Sequence, residues 1–301
     1  MIKIQCDSCG STELEKKGDL FVCKYCGCQY SMERIREQIL NFCGTVNLRI
    51  NQLNVENMYL NSNRDFEIVG GVLKKYKGAS RDVVIPDGVV KIDDRVFLGS
   101  RITSVSFPDG LEIIGDSAFR NCRDLTDVSF PDSLKCIGNA AFCNCTSLTE
   151  VSVPDGASLG TYAFAGCESI RKAHLPNDIK LVSSNLFFEC RTLTEVQIPD
   201  SVTSIGEDAF AGCNCLKTDL PGGIIGIGER AFEGCYSLSD ISFPDGLKSI
   251  GDSAFRLCGP LNVSDIPDGL QRIGNHAFFG CEFPNEEVKR KIAERNRIAF
   301  T

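Results

Sequence analysis

The residues best able to do chemistry lie near the N-terminus. Cys6-Asp7-Ser8-Cys9-Gly10 and Cys23-Lys24-Tyr25-Cys26-Gly27 are two Cys-x-x-Cys-Gly knuckles, with thirteen residues between Cys9 and Cys23. Two thiols at this spacing can turn their sulfurs into one tetrahedral centre, and the glycine permits the tight turn between them. Four thiolates favour zinc in a closed structural site, so Cys6, Cys9, Cys23 and Cys26 are the expected ligands of one structural zinc ion. The plain alternative is four reduced thiols in a small core. Cys28 falls too late to be a first choice and reads as a bystander.

The chain has 17 cysteines in all. Eight recur at a nearly fixed interval: Cys122, Cys145, Cys167, Cys190, Cys213, Cys235, Cys258 and Cys281. Stacked neighbours about 4.8 Å apart would all point one way, whereas disulfide Cβ atoms stand about 3.8 Å apart. The column therefore reads as small buried side chains. Cys143 and Cys215 alternate with it and are expected to face outward or lie in loops. Two His and no Trp leave little for acid–base work. No Ser-His-Asp set, carboxylate pair, phosphate-cradling loop or zincin helix is visible. Gly222 to Gly228 is glycine-rich but falls in repeat register, as a turn and a core column. The expectation is a protein that is not an enzyme.

The elements that must position these residues are repeats. Prolines recur every 22 or 23 residues from Pro86 to Pro267, and phenylalanines keep step from Phe97 to Phe278. A typical unit is residues 108 to 130, PDGLEIIGDSAFRNCRDLTDVSF. Leu125, Val128 and Phe130 form an extended stretch that Pro131 ends, because proline cannot donate to a ladder. Leu111 and Ile114 form a second apolar step. Asp116-Ser117-Ala118-Phe119 reads as a capped helical turn. One such coil cannot bury its own apolar side, so nine of them are expected to stack over residues 86–284. The fourth unit lacks one residue before Phe164, the sixth lacks one between Leu216 and Pro221, and the fifth reads Asn185-Leu186-Phe187 where the others have Ala-Phe.

The rest of the chain divides around the stack. Residues 1–30 hold the knuckles. Residues 31–64 read as a helix from Ser31 to about Leu40 followed by a linker. Residues 65–85 read as a capping hairpin turning at Gly70-Gly71. Residues 285–301 read as a C-terminal capping helix from Asn285 through Arg297, with Val288 and Ile292 on one face.

The repeat Ala-Phe-x-x-Cys-x-x-Leu-x-x-Val-x-apolar-Pro-Asp resembles the BspA-type bacterial leucine-rich repeat over about two thirds of the chain. The resemblance implies a right-handed leucine-rich-repeat solenoid, mostly β with short helical turns, that binds other macromolecules. The N-terminal knuckles resemble the zinc-ribbon family, of the kind found in transcription factor IIB. Rubredoxin-like iron sites share the knuckles alone, and theirs lie further apart.

Composition narrows the function. The net charge is −8, and residues 1–64 carry eight Lys or Arg against seven Asp or Glu without a basic, aromatic-rich patch. Nucleic acid is a poor partner for such a surface, and a protein or peptide a better one. The rival reading is a regulatory protein that docks on a transcription or translation complex through its ribbon. No apolar run approaches the ~20 residues of a membrane span, and the first six residues contain no signal-like apolar core, so a cytoplasmic location is expected. Arg171, Lys172 and His174 form a local basic cluster on an otherwise neutral or acidic strand face. They are the candidate partner-binding residues, and the fourth and fifth coils the candidate surface.

Overall fold

The computed structural model describes residues 65–300 and, as backbone only, three short strands between residues 14 and 31. The chain divides into two compact units, Met1–Arg64 and Asp65–Thr301. In the first, β1 (Leu14–Lys17), β2 (Leu20–Cys23) and β3 (Gln29–Ser31) form an antiparallel sheet, with Leu14 opposite Cys23. Ser31, expected to open a helix, instead ends β3. The remainder of that expected helix, and Cys6, Cys9 and Cys26, lie outside the described residues.

The second unit is a stack of about nine coils whose strands pair in parallel with those of the next coil. Two ladders run along it. The first ladder is built of strands just before each proline: β6 (Asp82–Val84), β8 (Ser104–Ser106), β10 (Asp127–Ser129), β12 (Glu150–Ser152), β14 (Lys172–His174), β16 (Glu195–Gln197), β19 (Asp240–Ile241) and β21 (Asn262–Val263). The second is built of two-residue strands before each Phe: β7 (Lys91–Ile92), β9 (Ile113–Ile114), β11 (Cys136–Ile137), β13 (Ser158–Leu159), β15 (Leu181–Val182), β17 (Ser204–Ile205), β18 (Gly226–Ile227), β20 (Ser249–Ile250) and β22 (Arg272–Ile273).

The third side of each coil is a turn, and here the structure corrects the sequence reading. Residues 116–121 form no helical turn. Ser117 and Asn121 take left-handed φ values of 55° and 62°. Alternate N–H groups then point in different directions. Those of Ala118, Arg120 and Cys122 close bonds within the coil, to Gly115, Ser117 and Phe119. Those of Ser117, Phe119 and Asn121 reach the carbonyls of Asn139, Ala141 and Cys143 in the next coil. The turn is thus a third inter-coil ladder, which a helical turn could not provide.

Inside, nine Phe rings from Phe97 to Phe278 are fully buried in one column. Their centroids lie 4.8 Å apart at Phe97–Phe119 and 5.8 Å apart at Phe164–Phe187. The coils approach closely because a glycine precedes seven of the nine turns, Asp93 and Ser183 standing there in the first and fifth coils. A Cβ on Gly228 would stand 2.7 Å from the carbonyl carbon of Gly206, inside any real contact.

The ends are closed differently. β4 (Phe66–Val69) and β5 (Val72–Tyr76) form a hairpin through Gly70 and Gly71, both at positive φ. β5 pairs with β7, and Tyr76 lies 5.1 Å from the Phe97 ring. At the other end Asn285 caps α1 (Glu286–Arg295), accepting from the Glu287 and Val288 amides, and buries Val288 and Ile292. The helix stops two residues short of Arg297 because the chain returns to repeat geometry. Ile298 and Ala299 carbonyls accept the His276 and Phe278 amides, and the Phe300 ring sits 6.0 Å from Phe278.

Candidate interaction surface

Outward side chains of the first ladder form rows along the stack. One row reads Thr103, Thr126, Thr149, Arg171, Thr194. The Thr hydroxyls donate to the carbonyl one coil back: Thr103 to Arg81 at 3.2 Å, Thr126 to Thr103 at 3.2 Å, Thr149 to Thr126 at 3.4 Å and Thr194 to Arg171 at 2.9 Å. Arg171 interrupts this row. Its amide still bonds the Thr149 carbonyl, but the hydroxyl bond a threonine would add is missing.

The next row alternates in sign. Glu150, Lys172 and Glu195 pair directly across β12, β14 and β16, and Lys217 bridges to Glu195. Lys172 Nζ lies 3.3 Å from Glu195 Oε2, and His174 Nε2 lies 3.8 Å from Glu150 Oε1. These pairs are exposed, so each contributes little to stability, but they do supply a local reason for two of the three basic groups. Arg171 has no carboxylate within ion-pair distance among the described residues. Below the cluster lies a shallow polar depression of about 310 Å³, lined by Ser152, Asp155, His174, Asn177 and Gln197. The structure therefore leaves all three side chains exposed, Lys172 and His174 on one face of β14 and Arg171 just before the strand, and separates Arg171 from the other two by its lack of a partner.

The cysteine column carries a feature that composition does not show. Each ladder thiol donates to the carbonyl of a Phe in the preceding coil: Cys122 to Phe97 at 3.0 Å, Cys190 to Phe164 at 3.1 Å and Cys281 to Phe255 at 2.8 Å, with the others alike. Burial pushes the thiol pKa values of Cys122, Cys190 and Cys235 well up, so they stay protonated. Ser100 occupies the position in the first coil, where no preceding Phe carbonyl exists to accept. Cys143, expected to face outward or lie in a loop, lies in the turn after Phe142 and is buried there, as Ala165 and Ala211 are after their turn Phe residues, although none of the three belongs to the apolar core cluster. Cys215 is exposed, as expected, and Cys136 is half-buried. Among the described residues no group of three or more His, Cys, Asp or Glu is placed to hold a metal, and no helix is long and apolar enough to cross a membrane.

Residues 75–158 and 157–285 match the family described as BspA type Leucine rich repeat region (6 copies). Solved structures are similar over much of the chain. A leucine rich cell surface protein from Faecalibacterium prausnitzii A2-165 is 29% identical with a TM-score of 0.58, over 72% of this chain and 73% of that one. A leucine rich repeat protein of T. pallidum is 23% identical with a TM-score of 0.37, over 78% and 94%. A leucine-rich repeat protein from Bacteroides ovatus is 22% identical with a TM-score of 0.30, over 72% and 90%. The search of the curated proteins found no match.

Proposed function

Because this chain belongs to the BspA-type leucine-rich-repeat family, we propose that it is a non-enzymatic scaffold whose first ladder, at the third to fifth coils, binds an acidic segment of a protein partner. The observation that carries this is Arg171. At its place in the row a threonine would donate to the Thr149 carbonyl, as Thr126 and Thr194 donate to theirs. The chain forgoes that bond for an exposed cation with no carboxylate beside it. Lys172 and His174, already facing Glu195 and Glu150, support the site as its rim.

Arg171→Thr tests the reading, because it removes the charge while offering the missing hydroxyl. Thermal stability of the variant should equal or exceed that of the parent. The partner recovered by the full chain from its native cells should bind the variant about tenfold more weakly at low salt, since a rim charge acts mainly on association. Equal affinity for variant and parent would remove Arg171 from the site.

The N-terminal reading is kept as a proposal: Cys6, Cys9, Cys23 and Cys26 hold one zinc ion as a structural site. What supports it is the β1–β2 pairing, which sets Cys23 opposite Leu14, five residues after Cys9, so that the two knuckles leave the same end of one hairpin. The ion would supply cross-linking of a small unit and nothing catalytic. Elemental analysis should find one zinc per chain in protein purified without chelator. Cys23→Ser should abolish it while the far-UV signal and melting of residues 65–300 persist, because the two units are separately compact. A cytoplasmic location is likewise proposed, on the strength of the free thiols among the described residues. The Faecalibacterium relative is a cell surface protein, so fractionation of the native cells decides between the two places.

A further inference from the structure

The junction between the fourth coil (residues 154–175) and the fifth (176–198) differs from its neighbours on one side only. At the second-to-third junction, three amides of the second ladder bond back: Lys135 and Cys136 to the Glu112 carbonyl at 2.8 and 3.1 Å, and Gly138 to Ile114 at 2.8 Å. At the fifth-to-sixth junction Thr203, Ser204 and Gly206 do the same, at 2.8, 3.2 and 2.8 Å. Between the fourth and fifth coils no backbone N–H of residues 180–184 bonds to the fourth coil, and β13 and β15 belong to separate sheets. One side-chain bond, Ser183 Oγ to the Leu159 carbonyl at 2.6 Å, crosses between the two second-ladder segments, and the corner before them is held by the Asn177 amide on Asp155 Oδ1 at 2.7 Å and the Gly156 amide on Asp178 Oδ1 at 3.0 Å.

Two sequence features cause the gap. The fourth coil is one residue short between Pro154 and Phe164, which removes a second-ladder residue. The fifth coil carries Ser183 where every other coil after the first carries the close-approach glycine. At Gly160 and Gly206 a Cβ would come within 2.6 Å of a backbone nitrogen in the preceding coil, so a serine there must stand off. The turn ladder is stretched beside the gap, with Tyr162 to Ser184 at 3.2 Å and Phe164 to Leu186 at 3.1 Å, against 2.8 Å for Ala140 to Thr161 and for Phe142 to Ala163. On the opposite side nothing is lost: β14 stays paired with both β12 and β16.

We propose that this junction is a hinge, held closed along the first ladder and free to open along the second, which divides the solenoid into a four-coil and a five-coil block. An interface with its full backbone ladder on one side, a stretched turn ladder beside it and only side-chain bonds across the second ladder is weakest at that last place, and bends about its fully bonded side. That bonded side is the strand face bearing Arg171, so opening changes the curvature of this face. The hinge stands whether or not a partner docks there.

Distances between spin labels in the full chain test it. Labels are placed by noncanonical amino acids, since the native cysteines would confuse thiol reagents. The pair at Ile113 and Ser204 spans four coil steps of the second ladder across the gap. The pair at Leu181 and Arg272 spans four steps of the same ladder without crossing it. The pair at Ser104 and Glu195 crosses the junction along the first ladder. The hinge requires a broader distance distribution for the first pair than for either other pair. It also requires the amides of Leu181 and Ser183 to exchange at least about tenfold faster than those of Ser204 and Gly206, having no acceptor in the fourth coil to hold them. Adding one residue after Gly156 together with Ser183→Gly should narrow the first distribution to match the second. Equal widths for all three pairs in the parent protein would overturn the hinge, whatever the exchange rates or the folding of the variant.

Discussion

The thiol of Cys190 reaches back 26 residues to the Phe164 carbonyl. A cysteine suits this place because it is small enough for a stacked column and still carries a donor for the second lone pair of a carbonyl that already accepts the Cys167 amide. Reactivity should follow this arrangement. With native protein, a thiol reagent should modify Cys215 first and Cys136 more slowly, among the cysteines at 122–281. Cys143 and the buried ladder thiols should react only on unfolding, because burial both shields them and raises their pKa. Mass spectrometry of partly labelled protein reads the order, and early labelling of Cys167 would contradict the packing. The periodic cysteines announced their burial in the sequence, but their acceptor did not show, since a main-chain carbonyl leaves no residue-type signal. Cys143 lies in a turn, one of its two expected places, but its burial did not show, because alternation of residue types fixes a facing only in extended chain.

Elements were legible where the core dictates residue type and obscure where only the backbone does. The proline, Phe and Leu rows gave the coils and their number. The left-handed residue two before each Phe did not show, because this row contains Arg95, Ala140, Tyr162 and Asp208 and no glycine. The capping hairpin was visible through Gly70-Gly71, but what fastens it was not. Lys74 of β5 and Lys91 of β7 both meet the Asp93 carboxylate, at 2.8 and 3.0 Å, and their hydrogen bonds hold its pKa down at about 2 against an ordinary 3.8. A carboxyl whose pKa is lowered by folding stabilises the folded state fully above its unfolded pKa, and loses that contribution as pH falls toward the folded value. The hairpin should therefore loosen between about pH 4 and 2. Hydrogen exchange of β4 and β5 should accelerate across that interval in the parent. In Asp93→Asn, exchange should already be faster at neutral pH and should change less on acidification.

At the scale of the molecule, stability is close to a sum over coils and the contacts between neighbours. The end of the stack then matters, and here the sequence held a signal that went unread: Ala299-Phe300 lies 22 residues after Ala277-Phe278. The helix pattern of residues 286–295 masks it. The helix replaces the extended parts of a tenth unit, and residues 298–300 supply its turn. Removing residues 296–301 would bare the Phe278 ring and leave the His276 and Phe278 amides without acceptors. The ninth coil should then fray, with a loss of about 2 kcal/mol, the order of one buried aromatic side chain. Denaturant unfolding of the truncated chain measures it, and unchanged stability would show that the tail is not part of the stack.

The shortened fourth and sixth coils have a consequence for how the chain finds its order. Coils so alike offer nearly the same seat above and below, and a growing stack could skip one and continue, leaving a loop extruded. Such a misassembled chain would satisfy most of the same contacts and compete closely with the native one. The fourth coil is short on the second ladder and the sixth on the first, where the strands are interrupted between β16 and β19. Each fits its own neighbours through compensations, such as Ser183, that another coil lacks. Filling both positions with the consensus residue would improve local pairing, yet it would also erase the marks that distinguish one seat from the next, and refolding should then yield more wrongly stacked chains.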